Sequence, residues 1–363
     1  MRVYVGTYTE TVHFSSGKIV EGKGKGIYCL EFDPISHRLD MLGFEPGVTN
    51  PSYIAISDDG KFLYAAGETK ECRGGHYGGE IGAYSIDDSG NIHFINSTFT
   101  DGWDSCHVAV DKNRTHAIVS NYGSCTVALF EIEKDGRVRP HCQFITHEGS
   151  SVHPKRQKKA FPHSAIFSPD GRFLYVLDLG MDKIAAYKVD FSNHQMIYDE
   201  GASFTMRPGS GPRHAEWHPD EKRLFVVDEL SCEITCLTHD SQTGKFSELQ
   251  TVRAVLDGQT GDFTSADIHI TPNGEFVYAS TRGHNSIAAY RIDKDTGALR
   301  AVGEFSSGGV IPRGFAIDPS GSCLLAANQN TDNIVIFDIH KDGTLSKAGE
   351  ISIPNPVCVK FIK

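Results

Sequence analysis

The sequence predicts an all-β chain: a seven-bladed β-propeller with four antiparallel strands per blade. Three observations predict it. A strand–turn–strand unit recurs along the chain, a second strand–turn unit follows each copy, and the two chain ends read as neighbouring strands of one blade. Length points elsewhere at first: 363 residues would ordinarily suggest two or three domains at about 150 residues each. The repeat overrides that prior.

The first unit is an alternating apolar run, a polar turn ending in Asp-Gly or similar, and a run such as Phe-Leu-Tyr. It reads PSYIAISDDGKFLYAAGE at 51–68, CHVAVDKNRTHAIVSNYG at 106–123 and HSAIFSPDGRFLYVLDLG at 163–180. It continues as RHAEWHPDEKRLFVVDEL at 213–230, ADIHITPNGEFVYASTRG at 266–283 and RGFAIDPSGSCLLAANQN at 313–330. The turns fall at Gly60, Asn113, Gly171, Glu221, Gly274 and Gly321, so successive copies lie 53, 58, 50, 53 and 47 residues apart. The second unit is an apolar strand with an aromatic, an acidic turn and another strand, as in IGAYSIDDSGNI at 81–92 or SIAAYRIDKDTGAL at 287–299. The segment GIYCLEFDPISHRLDML at 26–42 is its seventh copy. Alternation with Gly, Asp and Asn every 8–12 residues is strand-and-turn chemistry, and four-stranded repeats of ~40–50 residues are propeller blades. MRVYVGTYT opens the chain like a second strand, and NPVCVKFIK closes it like a first. Pairing them closes the ring and removes the free sheet edge. The expected blades are 354–363 with 1–45, then 50–99, 104–147, 161–207, 211–253, 264–305 and 311–352, forming one domain over 1–363.

Composition narrows the function classes. Lys and Arg number 35 against 46 Asp and Glu, for a formal charge of −11. That balance opposes phosphate-neutralising nucleic-acid binding. Apolar residues make up 39 %, too many for disorder. No apolar stretch reaches the ~18 residues of a membrane span. The first ten residues lack signal-peptide organisation, so a cytoplasmic location is expected. The nine cysteines are scattered without a C-x-x-C pair, which agrees. Cys232 and Cys236 are expected to share a strand face as small buried apolar residues.

The repeat also predicts which face carries function. The turns joining strands 1 to 2 and 3 to 4 are uniformly short. The long insertions at 8–26, 68–80, 143–162, 202–212 and 254–265 all join strands 2 to 3 or 4 to 1, on the opposite face. Loops on one end of a rigid scaffold are where function usually sits. Five residues before the Ser, Asp, Thr or His that opens each first turn, the chain enters the propeller at the decorated face. That position reads Ser52, Cys106, His163, Arg213, Ala266 and Arg313, with Val357 from the C-terminus. The next reads Tyr53, His107, Ser164, His214, Asp267, Gly314 and Cys358. The residues leaving strand 2 toward the same face are Glu68, Tyr122, Leu179, Glu229, Arg282 and Gln329, with Thr7 or Tyr8 from the N-terminus. Pure architecture would repeat its residues; these differ from blade to blade. His163, Arg213, Glu229 and Arg282 form the central candidate group. Asp178, Asp228, Asn121 and Asn328 recur and read as architecture, and His107 and Asp267 as supporting residues. The basic run PKRQKK at 154–159 is either a solvated loop or an attractor of anions.

The residues resemble the seven-bladed-propeller lactonases, the group that contains the bacterial propeller-type 6-phosphogluconolactonase and the fungal carboxy-cis,cis-muconate cyclase. The resemblance spans the chain, from YVGTYT at 4–9 through GPRHAEWHPDEKRLFVVDEL at 211–230, YASTRGH at 278–284 and AANQNTDNI at 326–334 to PNPVCVKF at 354–361. STRGH and PRG place it nearer the bacterial branch. The resemblance implies catalytic roles at His163, Arg213 and Glu229, with Arg282 completing the matched set. Arg313, His214, His284, Glu68 and Gln329 are expected to bind substrate. Water activated by His163 or Glu229 would attack a lactone carbonyl. Arg213 would stabilise the oxyanion, and Arg282 and Arg313 would take a phosphate or carboxylate. No G-x-S-x-G element is present, and no cofactor or metal is expected. The expected partner is a small anionic sugar lactone, on a monomer or weak homo-oligomer. Three readings stay open: hydrolysis of 6-phosphogluconolactone, the same chemistry on an aldarolactone or a muconate-type cyclisation, and a non-catalytic binding propeller.

Overall fold

In the computed structural model, residues 1–14, 17–70, 72–73, 76–256, 258–259 and 261–362 are described, without the side chains of 72, 73, 76 and 77. Seven antiparallel sheets follow one another around a ring. Blade 1 pairs Pro356–Phe361, Arg2–Thr7, Ile27–Asp33 and Arg38–Glu45 in that order. The chain ends therefore close the ring, as the sequence predicts. Blade 2 holds Pro51–Ile56, Phe62–Gly67, Glu80–Ile86 and Ile92–Phe99, and blade 3 holds Ser105–Val110, His116–Asn121, Thr126–Ile132 and Val138–Thr146. Blade 5 runs from Pro212–Trp217 to Lys245–Arg253, blade 6 from Thr264–Ile270 to Leu299–Ser306, and blade 7 from Pro312–Ile317 to Leu345–Ser352. Blade 4 departs from the pattern. Its outer strand is broken into Gln195–Tyr198 and Phe204–Thr205, both paired with Lys183–Asp190. Part of 202–212 is thus strand rather than insertion.

Burial explains the sequence pattern. Strand 2 is covered on both faces by neighbouring blades, so Phe173–Asp178 is buried throughout and reads as a continuous apolar run. Strand 4 lies on the circumference, and Val138–Thr146 alternates between covered and exposed. The larger buried apolar clusters fall one to a seam: Val3, Leu30 and Ile336 between blades 1 and 7, for example, and Phe225, Ile268 and Ala288 between blades 5 and 6. The closing seam is packed like the others. The residue before each first turn earns its place through hydrogen bonds. The Ser57, Ser168 and Thr271 hydroxyls each accept from the first N–H of strand 2, at 3.0 Å.

Cys232 and Cys236 do not share a strand face. Cys232 sits at φ 54° in the turn before Glu233–Asp240, whereas Cys236 is inside that strand and buried. Two small hairpins, Val12–His13 with Ile19–Val20 and Cys72–Arg73 with His76–Tyr77, decorate the face of the long loops.

Candidate active site

Strand 1 of every blade is irregular at the same place. Pro162 pairs with Asp178 and Ser164 with Leu177, so His163 is an extra residue in the ladder. Ser52, Cys106, Arg213, Arg313 and Val357 are skipped in the same way. In blade 6 the register jumps from Ser265 to Ile268, past Ala266 and Asp267. A β-bulge bends its strand and re-aims a side chain. The fold therefore offers seven re-aimed positions where strand 1 enters the ring, and the sequence fills them differently.

Glu229 organises the centre. Its Oε2 lies 3.0 Å from Arg213 Nε and 2.8 Å from Arg282 Nη2, and its Oε1 is bonded by Arg156 Nη2. Glu229 is 4 % exposed. Burial opposes its charge, but the guanidinium groups of Arg282, Arg156 and Arg213 prevail and hold the carboxyl well below the usual carboxylate range. One carboxylate thus faces three guanidinium groups. Arg213 is among the largest fully buried side chains. Burial lowers its pKa to about 10, which leaves it charged at neutral pH. Arg156 also donates to the Tyr122 hydroxyl at 3.2 Å.

His163 is buried beside this group, edge-on to Tyr122 at 5.6 Å and to His214 at 5.2 Å. Burial, followed by the charge of Arg213, pushes its pKa well below that of a free imidazole. His163 is therefore neutral and has a lone pair to offer. Cys106 donates to the His163 carbonyl at 3.2 Å. Its own pKa is pushed far up by burial, which disqualifies it as a thiolate nucleophile.

A second layer supports the first. His214 Nδ1 is 2.8 Å from Asp267 Oδ1, and its Nε2 is 3.3 Å from Arg213 Nη1. Burial lowers the His214 pKa to about 3, so Nδ1 donates to Asp267 and Nε2 accepts from Arg213. Asp267 lies 3.3 Å from His269, whose other ring nitrogen is 2.5 Å from Glu216. Burial would lower the His269 pKa, but the two carboxylates overcome it and raise the value to about 9. Beneath this layer the channel widens into a cavity of about 640 Å³, lined by Tyr53, His107, His269 and Lys360, toward the short-turn face.

The structure brings His163, Arg213, Glu229, Arg282 and His214 together. Arg313 and Glu68 pair with each other at 3.2 Å, and Tyr8 donates to the same Glu68 oxygen at 3.0 Å. Gln329 is buried at the end of its strand, with its amide donating to Asn330 at 2.9 Å. His284 is placed apart from this group. Its Nδ1 lies 2.7 Å from Glu304 on the outer strand and 2.8 Å from Ser286 Oγ, so the ring turns toward the circumference. Arg156 was visible only as one member of a basic run. The loop presents it because Gln157 is buried and donates to the Leu179 carbonyl at 2.8 Å and to Asp182 at 2.7 Å. The 68–80 insertion falls partly outside the described residues.

Comparison with known proteins decides the family. The family model of the lactonase with a 7-bladed β-propeller matches residues 2–361. This chain belongs to the seven-bladed β-propeller lactonases. The 6-phosphogluconolactonase of Bacillus subtilis is 35 % identical, over 99 % of this chain and 97 % of the relative. That of Formosa agariphila is 34 % identical, over 92 % and 91 %. The solved structure of a putative 6-phosphogluconolactonase from Bacteroides fragilis superposes with a TM-score of 0.89 at 30 % identity, covering 100 % and 98 % of the two chains. The periplasmic gluconolactonase of Pseudomonas aeruginosa gives 0.91 at 28 %, covering 100 % and 99 %. Among the described residues of this lactonase-family chain, no helix is long and apolar enough to cross a membrane.

Proposed function

We propose that the protein hydrolyses 6-phospho-D-glucono-1,5-lactone to 6-phosphogluconate, with His163 as general base. One observation carries the reading: three guanidinium groups converge on one buried carboxylate beside a neutral histidine. The carboxylate balances only part of that charge. Buried charge without a partner is costly, so the site favours an anionic substrate.

Glu229 is unsuited to be the base, because its proton affinity is depressed and both its oxygens are engaged. Its role is to hold Arg156, Arg213 and Arg282 in register. His163 takes a proton from water as the oxygen attacks the lactone carbonyl. The developing oxyanion lies against Arg213, where buried positive charge is worth most. The ring C–O bond then breaks, and the protonated His163 returns its proton to the departing ring oxygen. Arg156 and Arg282 keep further N–H donors for the phosphate, whose geometry suits guanidinium. Arg313, neutralised by Glu68, shapes the wall of the site.

The full-length resemblance to two proteins named 6-phosphogluconolactonase supports the phosphorylated substrate. The test follows hydrolysis of freshly generated 6-phosphogluconolactone beside gluconolactone, glucarolactone and galactarolactone. The phosphorylated lactone is expected to be turned over fastest. Preference for an aldarolactone would reassign the substrate, and background rates for all four would remove the enzymatic reading.

A further inference from the structure

The short-turn face carries a repeated contact between neighbouring blades. The first residue of strand 2 packs over a left-handed glycine in the 3-to-4 turn of the next blade. A Cβ built on Gly136 would collide with the Phe62 ring, one on Gly244 with Phe173, and one on Gly343 with Phe276. Arg2 over Gly90 and Arg223 over Gly297 repeat the arrangement. These five glycines have φ between 73° and 90°.

The seam between blades 3 and 4 breaks the rule at both members. His116 stands where the bulky residue belongs, and His194, at φ 53°, occupies the left-handed position. A side chain there costs roughly 1–3 kcal/mol, which a glycine would avoid. The two imidazoles meet, with His116 Nε2 2.9 Å from His194 Nδ1. A third residue departs as well. Strand 4 carries a bulge at Leu42, Ile95, Leu249, Val302 and Ala348, apolar in each case. In blade 3 the bulged residue is Cys142. Its Sγ and the two histidine nitrogens all lie within 4.8 Å of one another.

From these departures we propose that His116, Cys142 and His194 form a zinc site that clamps blade 3 to blade 4, apart from the lactone site. Two imidazoles and a thiolate suit zinc, which binds nitrogen at ~2.0–2.1 Å and sulfur at ~2.3 Å. The orientation of His116 is set from outside. Its Nδ1 lies 2.9 Å from Thr115 Oγ1 and its ring stacks on Phe191 at 4.1 Å, so Nε2 faces the site. Cys142 is exposed and its thiol donates to the Leu129 carbonyl at 3.3 Å; on binding, that proton leaves to solvent and sulfur coordinates as thiolate, while the proton shared between His116 Nε2 and His194 Nδ1 moves to His194 Nε2, so that both facing nitrogens present a lone pair. Glu131, the ladder partner of His116, adds negative charge acting on both His116 and Cys142. The fourth position is open to water. The seam between blades 7 and 1 also gathers three such groups, Cys323, His37 and Asp338, within 4.8 Å of one another, but with a single imidazole, 2.7 Å from Asp338, and a thiol that is buried, whereas the seam between blades 3 and 4 offers two imidazoles and an exposed thiol.

The repeat itself supplies the test variants. His116→Phe with His194→Gly rebuilds the contact seen at Phe62 and Gly136, and Cys142→Leu restores the apolar bulge; both should fold. Zinc affinity is read by competition with a chromophoric chelator, and cobalt substitution by its thiolate charge-transfer band. The natural protein is expected to bind one zinc ion at this seam, with affinity falling about ten-fold or more in both variants. The cobalt band should vanish in Cys142→Leu. Failure of the natural protein to bind zinc, or unchanged binding in the variants, would overturn the site.

Discussion

The two ends of the blades obey opposite rules. Where strand 2 begins, on the short-turn face, five of seven seams repeat a bulky side chain over a glycine. Where strand 1 begins, on the long-loop face, the backbone bulge recurs in every blade while the side chains diverge. Backbone geometry is common to both ends; chemistry varies in every blade at the long-loop end and at only two seams of the short-turn end. The difference separates what closes a ring from what the ring carries. Substitutions at the two ends should therefore fail in different ways.

The largest effect is expected at His163. His163→Ala should lower kcat by roughly 10²–10⁴-fold, with the melting temperature close to that of the natural protein. Wild-type turnover in this variant would end its role as base. Glu229→Gln attacks rate and folding together. Three guanidinium groups lose their shared anion, and breaking a buried ion-pair network costs about 3–5 kcal/mol. Denaturant unfolding and kcat/KM should both fall. Loss of rate without loss of stability would show that Glu229 acts on the substrate rather than on its neighbours.

The opposite end should yield the reverse pattern. Gly136→Ala places a Cβ against Phe62 at φ 90°. The expected cost is about 1–3 kcal/mol of stability, with kcat unchanged once the protein is folded. A specific loss of kcat would break the separation between the two ends.

The sequence shows the fold because each blade is an aligned copy of the next. It also shows most of the candidate site's positions, since five residues before each turn is a structural coordinate in every blade. His163 and Arg213 are legible for that reason. Arg156 is not, because an inserted loop has no counterpart from which to read its direction; the buried Gln157 decides it. The direction of His284 is not legible from its proximity to Arg282. It follows Arg282 by two residues, but Gly283 at φ 88° turns the chain and the ring meets Glu304. Arg313 and Glu68 are each legible as charges, whereas their mutual pairing past blade 1 is not.

A smaller effect concerns pH. Burial and the charges of Arg213, Arg313 and Arg282 depress the His163 pKa in the free protein. The acid limb of kcat/KM should therefore lie below about pH 6.5, the ordinary imidazole value. A bound dianion offsets the guanidinium field and raises that pKa, so the acid limb of kcat should lie at higher pH than that of kcat/KM. Coincident limbs would mean that the anion binds away from His163. Stability follows the same sign. A buried neutral His163 resists the proton that the unfolded chain accepts, so its contribution is present above about pH 6.5 and is lost as pH falls below it. His269 works in the other direction, because its folded pKa is raised to about 9. Its contribution is complete below about pH 6.5 and is lost as pH rises toward 9. His269→Gln should flatten the alkaline limb of melting temperature against pH, and an unchanged limb would remove His269 as its cause.

The smallest effect belongs to the loop that carries Arg156. Lys155 and Lys158 are exposed in the 154–159 run, whereas Arg156 reaches Glu229. The two lysines act on an incoming anion only through solvent, where charges more than ~8–10 Å apart are screened at physiological salt. Replacing both with Gln should raise KM a few-fold at low ionic strength, leave kcat unchanged, and lose its effect in high salt. Arg156→Gln should raise KM at every salt concentration, because its contacts are buried and escape screening. Equal salt dependence in the two variants would place Arg156 among the solvated charges and remove it from the site.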